Sequence, residues 1–193
     1  STTMKKQFLL SGLILALSVP GLMAQIPSYV PTNGLVGWWP FNGNANDESG
    51  NGNNGIINGA SFVSDRFGNS GNAMTFNGID NFITVADNST LDFTNTVSFS
   101  AWIKISDYSL GAGGAERHFI GKQRGNNQSG LSGIAVGGTN PYFGFGLNNG
   151  PNNFTCNNGD SLPLLAWTHL AGTYDGQSMN VYENGILVVS IPA

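Results

Sequence analysis

The sequence predicts an all-β fold of two antiparallel sheets packed face to face. The first observation is strict alternation of apolar and polar residues in short runs, clearest from Thr96 to Ile105. The second is the density of turn signals, above all Asn184-Gly185, because a type I′ turn needs positive φ at both central residues. Short strands separated by frequent turns are typical of a β-sandwich.

The composition indicates a folded domain of acidic character. The chain has 193 residues and a formal net charge of −4, with 9% charged residues and 28 glycines. Its 4 Trp and 12 Phe lie in alternating runs, so the segments rich in Gly and Asn predict tight loops rather than disorder. An acidic chain without a Lys/Arg cluster argues against nucleic acid and anionic membrane surfaces as partners.

Residues 1–24 are predicted to be a leader outside the fold. A basic pair at Lys5-Lys6 precedes an apolar run from Phe8 to Val19, which is typical of a signal peptide that starts at Met4. The run is too short to span a bilayer, and cleavage is expected after Ala24. We therefore expect a secreted or cell-surface protein whose mature chain does not insert into a membrane.

The first half of the domain, which follows an extended linker over residues 25–33, is predicted to contain six strands. Each is a short run bounded by Gly, Asn, Asp or Ser. They are Leu35 to Phe41, Gly55 to Asn58, Ser61 to Ser64, Ala73 to Phe76, Asn81 to Val85 and Thr96 to Ile105. A turn from Asn77 to Asp80 is expected to join the fourth and fifth of these strands.

The alternation from Thr96 to Ile105 predicts which side chains enter the core. Phe99, Ala101 and Ile103 share the apolar face, which must pack against a second sheet. Trp102 lies on the opposite face, where it is either a binding platform or a ring covered by a neighbouring segment.

The second half of the domain is predicted to contain six further strands. They are His118 to Lys122, Leu131 to Val136, Tyr142 to Leu147, Trp167 to Tyr174, Met179 to Glu183 and Ile186 to Ile191. Asp175-Gly176 and Asn184-Gly185 supply the turns of the last three, and residues 148–160 are expected to form a loop.

Four blocks in chain order resemble the laminin-G-like jelly rolls of the concanavalin A-like lectin/glucanase superfamily. They are G-L-V-G-W-W-P-F from Gly34 with E-S-G-N-G-N-N-G from Glu48, A-M-T-F-N-G-I-D-N-F from Ala73, F-S-A-W-I-K from Phe99, and W-T-H-L-A-G-T-Y-D-G from Trp167 with V-Y-E-N-G-I-L-V. The resemblance implies a jelly-roll sandwich over residues 34–193. Because further strands follow the last block in that pattern, it also implies a domain that is incomplete at its C-terminus and part of a larger multidomain protein.

Glycoside hydrolysis is disfavoured because the carboxylates lack the required spacing. Glucanases of this superfamily cut with two carboxylates on one strand, held about 5 Å apart. The three Glu residues, Glu48, Glu116 and Glu183, have no acidic partner at that spacing on a strand. We therefore expect no enzymatic activity.

A non-catalytic recognition module that binds a glycan or a cell-surface protein is the favoured function. In lectins, Asn and Asp bond sugar hydroxyls and aromatic rings stack on the sugar, so the candidate ligand residues are Asn126, Asn127, Tyr142 and Asn148. Each of these Asn residues is also explained as a turn residue. The alternatives are a structural spacer in a large surface protein, or a polysaccharide-active enzyme of the glucanase type.

Oxygen-rich turns suggest a calcium site. Asp47 and Asn51 lie in a loop of Asn, Gly, Asp and Ser, and Asp80 occupies a turn where the family often has an acidic residue. Calcium takes carboxylate, carbonyl and amide oxygens, so these three residues are the predicted metal ligands. The alternative is a structured surface loop without a metal.

Overall fold

The computed structural model describes residues 26–93, 96–108, 117–123, 131–137, 140–146, 153–157 and 161–192. Between residues 131 and 157, and at positions 117 and 123, the description is of the backbone alone. The predicted leader lies outside the described residues. No helix in the described ranges is long and apolar enough to cross a membrane.

The described chain contains twelve β-strands and one short 3-10 turn. The strands are β1 Gly55–Asn58, β2 Ser61–Val63, β3 Ala73–Thr75, β4 Phe82–Val85, β5 Val97–Lys104, β6 Arg117–Gln123, β7 Leu131–Gly137, β8 Asn140–Gly146, β9 Asn153–Asn157, β10 Trp167–Tyr174, β11 Ser178–Glu183 and β12 Ile186–Pro192. The 3-10 turn, Ser89–Leu91, begins at Asn88, whose side chain accepts a hydrogen bond from the Thr90 N–H.

Two four-stranded antiparallel sheets form the main body. One has the strand order β12-β11-β10-β5 and the other the order β6-β7-β8-β9. Strands β10 and β11 face β7, β8 and β9, so the two sheets pack on each other. Two smaller sheets, β1-β4 and β2-β3, complete the described fold. The predicted all-β antiparallel sandwich is confirmed.

Alternation along β5, β10 and β11 places the core between the sheets. Phe99 and Ile103 of β5 are buried, while Ala101 is half-buried against the same cluster. Leu170 of β10 and Met179 of β11 are 1% and 0% exposed, which marks the centre of the core. The predicted core face of β5 is confirmed, and the opposite face of the three strands is available for other contacts.

The last three strands form as their turn signals predict. Asn184 and Gly185 both have positive φ, 51° and 81°, and they link Glu183 directly to its partner Ile186. The Asp175 carboxylate accepts the N–H groups of Gln177 and Ser178 and so closes the preceding turn. The β10–β12 meander is therefore fixed largely by local chemistry.

Residues 35–41 were predicted as a strand, and this prediction is wrong. Their backbone groups bond to side chains of the following loop instead of to a sheet. The Asn51 amide donates to the Leu35 carbonyl, and the Asn53 amide donates to the Val36 carbonyl. Because these amides already satisfy the carbonyls, the segment needs no strand partner.

One further local prediction is corrected by long-range pairing. β9, Asn153–Asn157, lies in a stretch predicted as loop, and it forms by pairing with β8, including Phe145 with Phe154. The predicted turn from Asn77 to Asp80 is confirmed between β3 and β4, and these two strands pair with β2 and β1 rather than with each other. Cross-strand partners decide both outcomes, and a local pattern does not contain them.

Candidate functional site

The ligand residues predicted from sequence fall largely outside the described part of the chain. Asn126, Asn127 and Asn148 are not among the described residues. Tyr142 lies in β8, where its backbone pairs with Ala135 of β7, and its side chain is outside the description. These four residues stay predictions.

The Asp47 carboxylate is the hydrogen-bond centre of its loop. Its Oδ1 accepts the backbone N–H groups of Trp38 and Ser49, both at 2.9 Å. Its Oδ2 accepts the Ser49 hydroxyl at 2.8 Å and the Asn53 N–H at 2.9 Å. Burial raises the pKa of Asp47, but the four hydrogen bonds to its charged form outweigh burial and hold the pKa below the usual 3.8.

Asp80 lies in a different part of the fold from Asp47. It lies two residues before β4, near the Phe82–Asn58 end of the β1–β4 ladder. Gly55, at the other end of that ladder, contacts the Asp47 loop by donating its N–H to the Ala45 carbonyl. Three residue steps along a strand separate the two ends by about 10 Å.

Calcium binding by Asp47, Asn51 and Asp80 stays a prediction, and the Asp47 carboxylate already has other partners. A carboxylate offers about four lone-pair sites, and all those of Asp47 face N–H or O–H donors. Asn51 lies in the same loop, but its amide group donates to Leu35 and Ser49. Across the described ranges, no group of three or more His, Cys, Asp and Glu residues is placed to hold a metal.

A second candidate site lies on the face of the β5–β10–β11 strands that points away from the core, here called the outer face. On β5 this face carries Ser98, Ser100, Trp102 and Lys104, all exposed. These side chains alternate with the buried residues of the core, so the outer face follows from the same period-two pattern.

Trp102 and His169 form the centre of the outer face. They are directly paired across β5 and β10, and their ring centroids are 5.3 Å apart. His169 Nε2 lies 2.7 Å from Ser100 Oγ, within hydrogen-bond distance. Burial lowers the pKa of His169 and the positive charge of Arg66 lowers it further, so the ring is neutral at pH 7.

Arg66 reaches the outer face from the turn that follows β2. The Asp65 carboxylate fixes this turn by accepting the N–H groups of Phe67 and Asn69 at 2.8 and 2.9 Å. The guanidinium carbon of Arg66 lies 4.1 Å from the Phe67 ring centroid and 4.4 Å from that of Trp102. Both contacts are of cation–π type, and they bring a charge onto the sheet from a distant part of the sequence.

A second cation–aromatic pair lies one row along the same strands. Lys104 is the direct cross-strand partner of Trp167, and its Nζ lies 5.2 Å from the Trp167 ring centroid. Two residues along a strand span about 7 Å, which is the spacing between this row and the Trp102 row. The outer face therefore presents two cation–aromatic pairs side by side.

Polar groups continue the outer face across β10 and β11. The Asn180 amide donates to the Thr173 hydroxyl at 3.3 Å, and Tyr182 pairs with Ala171 in the next row. Hydroxyl, amide and imidazole groups next to exposed rings can bond the hydroxyl groups of a polar ligand while the rings contact its apolar surface.

Sequence reasoning identified part of this site. The alternation in β5 placed Trp102 on the polar face, whereas His169 was not among the candidate ligand residues. Arg66 was missed, because no local pattern indicates that a turn after β2 reaches β5.

A family model described as the concanavalin A-like lectin/glucanases superfamily matches residues 76–193. No curated protein sequence matches the chain. The matched range includes β4 to β12 and thus both four-stranded sheets.

Two solved structures share the fold at low sequence identity. One is domain 4 of AbnA, a GH43 extracellular arabinanase from Geobacillus stearothermophilus, in complex with arabinotriose. It matches with a TM-score of 0.55 and 21% sequence identity, and the match covers 82% of this chain and 75% of that chain. The other is the binding domain of Paraclostridial Mosquitocidal Protein 1: TM-score 0.58, 20% identity, 76% of this chain and 37% of that chain covered. Because the family match spans more than half of the chain, the protein belongs to the concanavalin A-like lectin/glucanases superfamily.

Proposed function

We propose that the chain is an exported, non-catalytic glycan-recognition module whose binding surface is the outer face around Trp102. The observation that carries this proposal is the exposed aromatic surface at that point. Trp102 is 43% exposed and the neighbouring Phe67 is 72% exposed. Clustered exposed rings rimmed by polar groups are typical of interaction sites.

The polar groups around Trp102 suit a polyhydroxylated ligand. Ser100 and His169 lie beside the ring, and Thr173 and Asn180 lie two rows further along the same face, where Thr173 pairs with Ser98. Each of these side chains can donate or accept a hydrogen bond. A saccharide combines hydroxyl groups with apolar C–H surface, and therefore matches this mixture of polar and aromatic side chains.

The superfamily and the structural neighbours support a binding role. The superfamily includes lectins as well as glucanases. One neighbour is a domain of an extracellular arabinanase in complex with arabinotriose, and the other is a toxin's binding domain. By the same analogy, we propose that this chain is one module of a larger multidomain protein.

Hydrolysis finds no support in the residues of the outer face. A retaining glucanase needs two carboxylates about 5 Å apart. None of the outer-face positions in the described strands β5, β10 and β11 is Asp or Glu. This absence of carboxylates on the described outer face supports a binding role over hydrolysis at that face.

Export is proposed from the leader motif. Lys5-Lys6 and the apolar run that follows predict cleavage after Ala24. Mass spectrometry of material secreted by an expressing bacterium should find a mature chain that begins at Gln25. A secreted chain that retains the apolar run would contradict this.

Affinity electrophoresis against a panel of neutral and acidic polysaccharides tests the binding role. We expect at least one polysaccharide to retard the wild-type chain, and Trp102→Ala to remove the retardation. The matched control is Phe82→Ala, which removes a ring that is 50% exposed on β4, outside the outer face. Retardation that Trp102→Ala leaves unchanged would refute the outer face as the binding site. Absence of any binding would favour the structural-spacer function instead.

A further inference from the structure

The few basic residues of this acidic chain are unevenly distributed. The sequence has 7 Lys and Arg against 11 Asp and Glu. Two of the 7, Arg66 and Lys104, contact aromatic rings of the outer face. Two cations on one aromatic surface give it a local positive charge, which can attract an anionic ligand.

Arg66 and Lys104 form no salt bridge with another described residue, although the charge of Arg66 helps to lower the pKa of the neighbouring Asp65 carboxylate. Lys122, by contrast, bridges Asp87 at 3.0 Å and Asp92 at 2.6 Å. Thus Lys122 is paired within the fold, whereas the two outer-face cations form no salt bridge among the described residues and can pair with an external anion.

The hydrogen-bond donors of Arg66 are also unused. A guanidinium carries five N–H donors, and contacts with aromatic rings satisfy none of them. No hydrogen bond between described residues involves the Arg66 side chain, although the turn that carries it is held by the Asp65 carboxylate. The donors are therefore positioned by a fixed turn and free to meet an acceptor.

Carboxylates are among the anionic groups that a guanidinium binds well, and they are the ones that occur in acidic sugars. The planar fork of a guanidinium binds a carboxylate through two parallel hydrogen bonds. The outer-face positions of β5, β10 and β11 carry no Asp or Glu that would repel such a group. The second cation, Lys104, lies one row away at about 7 Å, where a second charge on a repeating polymer can reach it.

We propose that the outer face selects acidic saccharides that carry carboxylate groups, meaning uronate-containing polysaccharides. This inference rests on the proposed glycan-binding function and names its ligand class. Arg66 binds the carboxylate, Trp102 and Phe67 contact the sugar ring, and Lys104 adds charge attraction along the polymer.

The test measures binding of the full chain to matched polysaccharides by isothermal titration calorimetry in low salt without divalent cations. The ligands are polygalacturonate and alginate, fully methyl-esterified polygalacturonate, dextran sulfate and polyglutamate. We expect binding to polygalacturonate or alginate, and at least tenfold weaker binding to the methyl ester, which keeps the sugar backbone but lacks the charge. Increasing the salt should weaken the interaction, because exposed charges are screened.

Two variants with the same charge change separate a specific contact from general attraction. Arg66→Gln should weaken uronate binding at least tenfold, the effect expected from losing a charge-assisted bidentate contact. Lys122→Gln removes a cation that is paired within the fold and should leave the affinity unchanged. Equal losses for both variants would mean that net charge alone drives the binding, and would overturn the proposal.

The other outcomes also decide the question. Equal affinity for polygalacturonate and its methyl ester would overturn carboxylate selection, as would equal affinity for polyglutamate or dextran sulfate. Binding of neutral polysaccharides alone, lost in Trp102→Ala, would leave the glycan-binding function intact and refute this inference. No binding of any polysaccharide would contradict both.

Discussion

Replacing Asp47 should destabilise the domain without touching its core. The carboxylate accepts four hydrogen bonds, which tie Trp38 of the N-terminal segment to Ser49 and Asn53 of the loop. Asp47→Ala leaves these donors without their acceptor, and Asn53 is only 3% exposed, so water replaces the contact poorly. A hydrogen bond to a charged acceptor contributes about 1.5–3 kcal/mol, and the four are not additive.

The expected cost of Asp47→Ala is about 2–4 kcal/mol, because water reaches part of the loop and recovers some of the lost bonding. For a domain of this size, this corresponds to a fall in melting temperature of about 5–15 °C. Asp47→Asn keeps one acceptor oxygen but turns an amide donor toward the Asn53 N–H, so its cost should be about half as large.

Thermal unfolding followed by circular dichroism, at pH 7 and pH 3, measures both effects. The pKa of Asp47 is lowered in the folded state, so its contribution is present above the ordinary value near 3.8 and is lost as the pH falls through the folded value. The gap between wild type and Asp47→Asn should therefore shrink at pH 3. Asp175→Asn, at the exposed β10–β11 turn, is the control and should change the melting temperature little. A variant of Asp47 as stable as wild type at pH 7 would refute this reasoning.

Four further predictions follow from the same structure. Met179→Ala should lower the free energy of unfolding, measured by chemical denaturation, by about 2–5 kcal/mol, because the side chain is fully buried between the sheets. A decrease of less than about 1 kcal/mol would contradict its place in the core. Gly185→Ala should lower the free energy of unfolding by about 1–2 kcal/mol, because alanine is strained at the φ of +81° that this position has. The added methyl group itself would meet no atom, so an unchanged stability would contradict the type I′ turn. Burial and the charge of Arg66 lower the pKa of His169 in the folded state, so the unfolded chain takes up this proton first as the pH falls below about 6.5. Wild type therefore loses stability between pH 7 and pH 5, and His169→Gln should lose less. An equal loss in both proteins would contradict this environment for His169. Millimolar calcium should not raise the melting temperature through Asp47, whose oxygens already hold donors; a rise abolished by Asp47→Asn would show the opposite.

The sequence predicts those elements whose information is local. The β10–β12 meander follows from alternation and from turn residues with positive φ, so its strands and both turns lie where the pattern places them. The core face of β5 follows from period two alone.

Other elements depend on partners that are distant in sequence. β9 forms because it lies beside β8, although its Asn-rich ends predict a loop. Residues 35–41 do not form a strand, because Asn51 and Asn53 bond their carbonyls. For the candidate site, alternation identifies the exposed side of Trp102, but the contact with Arg66 depends on how the turn after β2 lies against the sheet.

The central claim, that the outer face binds glycan, is tested most directly by NMR of the tryptophan side chains. The chain has 4 Trp, and each indole N–H gives its own signal. Trp102 and Trp167 lie on the outer face, while Trp38 and Trp39 belong to the N-terminal segment, where the Trp39 indole donates to the Asn53 carbonyl at 2.8 Å. Titration with oligosaccharides from each neutral and acidic polysaccharide of the electrophoresis panel should, for at least one of them, shift the signals of Trp102 and Trp167 and leave those of Trp38 and Trp39 in place. Shifts confined to Trp38 and Trp39, or no shift at all, would contradict the claim.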